Sequence, residues 1–179
     1  MTYLITCSGS KRQPSNSYSS SLKLLSFSNE LHDTREKLIK LLEFNLDWNN
    51  TMPAWQLYSG TYSRLYPRVS ETNWIKEGVE IKILSALFGW IKHTDYIPYY
   101  DLQMLDFIKS YNNMRVWKYW YNCNLLKDIV ERQDIDLLSN SYRKAITGGT
   151  LPVATESGVQ FTDRGVQKGI WLNNQLDNI

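Results

Sequence analysis

Cysteine is scarce: Cys7 and Cys123 are the two in 179 residues, too few for a disulfide framework and without zinc-ligand spacing. Histidine is equally sparse. His32 and His93 form neither a triad nor a metal set at visible spacing, so both read as surface residues, and no metal or cofactor is expected. Charge of one sign is lacking too. A formal net charge of +2 argues against an extended surface that wraps DNA, while a local basic patch stays open. No apolar run approaches a membrane span, and no basic segment followed by an apolar one opens the chain. The expected setting is cytoplasmic, with no membrane partner. The Gly-x-x-x-x-Gly-Lys-Ser/Thr pattern is missing, and Gly148-Gly149-Thr150 is only superficially like it, which excludes a P-loop triphosphatase. Neither a repeat nor a linker divides the chain, so residues 1–179 read as one domain.

Aromatic residues are plentiful, with seven Trp and twelve Tyr. They fill cores, and they also build flat sites for bases and sugars. Tyr3-Leu4-Ile5-Thr6-Cys7 reads as a buried strand that breaks into the polar turn Ser8-Gly9-Ser10-Lys11. A second strand, Val79 to Ala86, turns continuously apolar and ends at Ser85, with Leu87-Phe88-Gly89 following. A third, from Ile135 to Leu138, runs into Ser139-Asn140-Ser141-Tyr142. Three strands ending in hydroxyls or a thiol suggest one shared edge of a sheet, where α/β proteins place ligands. The fold expected is α/β: a single domain with a mixed or mainly parallel sheet and helices on both faces.

Between the strands, residues 13–30 read as a loop with a short helical piece at 21–25, and 33–42 as a helix capped by Asp33 or Thr34. Helix is also expected over 61–76, interrupted by Pro67, over 102–109, and over 112–131, the longest candidate. Residues 141–146 begin another helix, 150–163 read as an irregular connection or hairpin, and 165–176 as a last helix.

Four motifs carry a resemblance. Cys7-Ser8-Gly9-Ser10-Lys11 is similar to the Cys-Ser-x-x-Lys opening of the YaaA-like family. Leu57-Tyr58-Ser59-Gly60, Ile83-Leu84-Ser85-Ala86-Leu87-Phe88-Gly89 and Ile97-Pro98-Tyr99-Tyr100-Asp101-Leu102 resemble its later motifs in order, over roughly residues 1–145. Two departures stand out: Leu87 occupies a position that often carries Lys, and the 13–52 stretch is longer than the family pattern. A more distant likeness is to the core domain of archaeosine synthase: of its Pro-Cys-Ser-x-x-Lys-Pro-Tyr run this chain keeps the Cys-Ser-x-x-Lys part, with Arg12-Gln13 in place of Pro-Tyr. The resemblance implies a nucleic-acid-related role. Its leading form is an enzyme that binds a nucleoside, a nucleotide or a DNA or RNA base and transfers or cleaves a group on it, as a transferase or glycosidase. The alternatives are a non-catalytic DNA-binding stress-response protein and a small nucleotide-ligand sensor.

Within that reading Lys11 is the leading catalytic candidate, as nucleophile or anion anchor, against the plain alternative of a turn lysine. Asp101 serves as general acid/base, binds a ribose hydroxyl, or merely caps a helix. Cys7 is read as a pocket wall, against a nucleophilic thiolate or a small buried hydrophobe, while Ser8, Ser10, Ser59 and Ser85 offer hydrogen bonds or else cap turns. Tyr99 stacks on a base, donates a hydrogen bond or belongs to the core; Tyr58 is expected close to the first turn, around a base-sized ligand, with Gly89, Ser139 and Tyr142 completing the site.

Overall fold

The computed structural model describes residues 1–15, 18–154 and 164–179. Strand β1 (Thr2–Thr6) is buried on both faces, a pattern stable only inside a sheet. It lies between β3 (Glu80–Ser85) and β8 (Ile135–Asp136), parallel to both, and β4 (Gly89–Lys92) closes the far side antiparallel to β3. Two small antiparallel pairs flank this sheet: β2 (Thr51–Pro53) with β5 (Tyr96–Pro98), and β6 (Phe107–Ile108) with β7 (Met114–Arg115).

Among the described residues six α-helices accompany the strands: α1 (Ser28–Leu41), α2 (Ala54–Leu57), α3 (Glu71–Trp74), α4 (Val116–Cys123), α5 (Asn140–Thr147) and α6 (Gly165–Asp177). Register decides which face each covers. Leu4, Lys82 and Asp136 are neighbours across the strands and share one face. On that side Lys82 Nζ donates to Ile129 O and to Asp134, and Arg143 of α5 pairs with Asp136 at 3.1 Å. Tyr3 points the opposite way and meets Trp171 of α6 edge-on, ring centroids 6.2 Å apart. The α/β fold, its mixed, mainly parallel sheet and helices on both faces match the sequence reading.

Several element boundaries differ from expectation. Helix α1 starts at Ser28, ahead of Asp33, and its buried stripe is Leu31, Arg35 and Leu38. Arg35 is held there by donating to Phe88 O and Trp90 O, so its cation is part of the core. Only a 3₁₀ turn (Tyr66–Arg68, with Pro67 inside) and the short α3 form within 61–76. No helix covers 102–109; β6 lies there instead. The long helix expected over 112–131 is cut at both ends by asparagines in the left-handed region, Asn112 and Asn113 before β7 and Asn124 after α4. His93 is buried rather than on the surface, its ring nitrogens 3.3 and 3.1 Å from Ile81 O and Trp74 O. Most of the irregular connection expected at 150–163 lies outside the described residues. Among the described residues no helix is long and apolar enough to cross a membrane.

Candidate functional site at the carboxyl edge of the sheet

The β1–β3 ladder continues through Cys7 N to Leu84 O (3.0 Å), and the β1–β8 ladder through Leu137 N to Leu4 O (2.9 Å). Because the three strands are parallel, the turns after Thr6, Ser85 and Leu138 fall on one edge. Asp136 fixes the last of them: its carboxylate accepts from Leu138 N at 2.8 Å, Arg143 Nε at 3.1 Å and Val153 N at 2.9 Å.

The first turn is held by its own hydroxyls. Ser8 Oγ accepts from Ser10 N, and Ser10 Oγ accepts from Tyr62 N at 3.0 Å. Gly60 explains the Tyr58-Ser59-Gly60 motif. A Cβ there would sit 2.5 Å from the Ser10 carbonyl carbon and 2.6 Å from Lys11 N, so only glycine lets the two turns pack this closely. Arg12 N then donates to Leu57 O at 2.7 Å and ties the strand exit to α2.

A cleft of about 710 Å³ opens over this edge. Cys7, Ser8, Ser10 and Ser139 line it, as do Arg64 and Lys168. Cys7 Sγ lies 2.9 Å from the Tyr142 hydroxyl, which braces the wall from α5. Lys11 is not on the cleft wall. Its ammonium is shielded from solvent, 4.6 Å from the Tyr100 ring centroid and 5.9 Å from that of Tyr58, and has no hydrogen-bond partner. Burial pushes its pKa down, while the nearby Cys7, Asp101 and Asp106 push it back up.

Tyr58 and Tyr100 form a hydroxyl relay that ends on Ser85, with Oη–Oη 2.6 Å and Tyr100 Oη–Ser85 Oγ 2.8 Å. Ser85 Oγ already accepts from Leu87 N and Phe88 N. With both lone pairs engaged, its one hydrogen goes to Tyr100, which leaves it no bond to offer a ligand. Ser59 is likewise engaged, donating to Trp55 O at 2.7 Å. Gly89 opens β4 opposite Ser85 and packs beneath Trp120, outside the cleft wall. Tyr99 and Asp101 are exposed, and Asp101 caps no helix because none follows it.

The sequence reading passed over Tyr100, Arg64, Ser63 and Lys168. Lys168 alone had a readable signal. It falls in helical register with Leu172 and Leu176, and a lysine on a buried stripe is unusual. Its Nζ donates to Leu138 O at 2.9 Å, beside the third strand end. Gly169 permits that approach, since a Cβ there would meet Leu65 O at 2.5 Å.

A cavity of similar size, about 690 Å³, opens at the opposite sheet edge. Its charges are mixed: Lys82 faces Asp134 and Glu131, and Glu80 accepts from Thr2. A family model described as peroxide stress protein YaaA matches residues 10–170. A search of the curated proteins finds no match.

Proposed function

The chain belongs to the peroxide stress protein YaaA family, and from that premise we propose that it is an enzyme acting on a nucleoside, a nucleotide or a base in nucleic acid. The reaction is transfer or cleavage of a group on that ligand. The reading rests on one observation above others. The Lys11 ammonium is buried without a hydrogen-bond partner, directly behind a turn whose Cys7, Ser8 and Ser10 line the cleft. A buried cation left unpaired is costly, and an incoming anionic or electron-rich group relieves that cost.

Lys11 acts from behind that turn, as an anion anchor when protonated or as a nucleophile when neutral toward a ligand group that reaches past the turn. Asp101, close enough to act on the charge of Lys11, takes the acid/base role. Ser8, Ser10 and Ser139 supply hydrogen bonds along the wall. Tyr58 and Tyr100 enclose the ammonium and keep water from it.

Substitution tests the assignment. Lys11→Ala abolishes ligand binding or turnover of nucleosides and nucleotides while the fold persists by circular dichroism. Partial rescue by Lys11→Arg identifies an anchor, since guanidinium keeps the charge but is too basic to attack as a neutral amine. Wild-type behaviour in Lys11→Ala would remove Lys11 from the mechanism. Sequence-independent, steeply salt-dependent DNA binding that survives this change would replace the enzyme with a non-catalytic DNA-binding protein.

A further inference from the structure

Among the described residues that line the cleft, the formal charges are all positive: Arg64 and Lys168, with no aspartate or glutamate. Lys168 is only 6% exposed, and its ammonium is fixed against Leu138 O at the end of the third strand. Arg64 is exposed, on the segment that reaches the first turn through Tyr62 N and Ser10 Oγ. Gly165, the first residue of the 13-residue helix α6, also lines the cleft, so the positive end of that helix opens into it. A further observation points to a ligand. Ser63 lines the same space, and its Oγ is shielded from solvent with no hydrogen-bond partner. Buried hydroxyls are ordinarily paired, and a partner supplied by a ligand accounts for this one.

We propose that Arg64, Lys168, Ser63 and the first turn of α6 form a phosphate subsite, so that the ligand is a phosphorylated nucleoside and not a free nucleoside or base. The inference rests on the nucleoside-directed reading above and narrows it. A phosphate needs several donors and positive charge converging from different directions. Here the cations come from the segment after Gly60 and from α6, the hydroxyl from Ser63, and the helix end from Gly165. The phosphate belongs either to a free nucleotide or to a nucleic-acid strand, and the two share this chemistry.

Calorimetric titration separates these possibilities. The probes are the four nucleoside 5′-monophosphates, their parent nucleosides, inorganic phosphate and a thymidine pentanucleotide, each added to the parent protein and to Arg64→Ala. Arg64 is exposed, so its substitution leaves the fold intact; Lys168→Met, which removes a buried support of Leu138, is a second variant whose melting is checked first. At least one phosphorylated probe binds about tenfold or more tightly than its nucleoside, and Arg64→Ala removes most of that advantage without changing the affinity for the nucleoside. Preference for the monophosphate identifies a free nucleotide, and preference for the pentanucleotide a strand. Nucleosides binding as tightly as their phosphates, or an advantage that survives Arg64→Ala, overturns the subsite and leaves the nucleoside reading standing. Arg64-dependent binding of inorganic phosphate with no binding of any nucleoside or nucleotide keeps the anion site and overturns the nucleoside reading. Failure of every probe overturns both.

Discussion

Lys11 concentrates the chemistry at the residue scale. Its ammonium lies against two aromatic faces, which attract a cation, yet it lacks the hydrogen bonds that usually accompany a buried charge. Burial lowers its pKa, and the sign of the consequence is fixed. Below the folded-state pKa both folded and unfolded chains are protonated there, and the folded one bears the cost of desolvation. As pH rises from that value to the ordinary lysine range, the folded state sheds the proton first and the cost disappears. Lys11→Met therefore raises the melting temperature at neutral pH, and the gain shrinks toward alkaline pH; a gain independent of pH would place the effect in packing alone. His93 gives a slope of the same sign at lower pH. Burial lowers its pKa, so the unfolded chain gains a proton first on acidification, and stability contributed by neutral His93 is lost as pH falls below about 6.5. His93→Gln, followed by thermal melts between pH 5 and 8, flattens that slope.

At the element scale the site depends on close approach between turns. Gly60→Ala places a methyl group against the Ser10–Lys11 backbone, which must shift to receive it. The expected loss is about 1–3 kcal/mol in denaturant unfolding, accompanied by weaker ligand binding; an unchanged midpoint would show that the turns separate freely. Much of this layer was legible in the sequence. Strands that end in Cys7, Ser85 and Ser139 were marked by apolar runs breaking into polar residues, and their shared edge follows from parallel pairing. The helix boundaries were less legible, because they turn on asparagines such as Asn112 and Asn124 that adopt left-handed backbone inside an otherwise helical pattern. Tyr99 and Tyr100 show the same limit at single-residue resolution. Both suit a site, yet Tyr100 is buried against Ser85 while Tyr99 faces out, and only the path of the chain after β5 decides between them. Arg64 lies in an irregular segment with no periodicity, so nothing local assigned it to the cleft.

For the whole molecule, the aromatic wealth of the sequence is spent mainly in the core. Tyr58, Tyr66 and Tyr100 are fully enclosed, and burial raises the pKa of each. The unfolded chain ionises these phenols near pH 10 while the folded one retains their protons, so stability falls with pH above about 10. Spectrophotometric titration at 295 nm shows these phenols ionising together with unfolding, whereas smooth ionisation of the folded protein near pH 10 would mean that they are open to water. The sheet brings the Cys7–Lys11 turn, Ser139 and α6 to one edge, and the proposed function depends on a ligand binding there rather than in the mixed-charge cavity at the other end. Amide NMR of the isotopically labelled protein, titrated with nucleosides and nucleoside monophosphates, decides this most directly. The expected result is saturable shifts at Ser8, Gly9, Ser10, Tyr62 and Ser139 that vanish in Lys11→Ala; shifts confined to Trp74, Glu80 and His93 at the opposite edge, or none at saturating ligand, would refute the assignment.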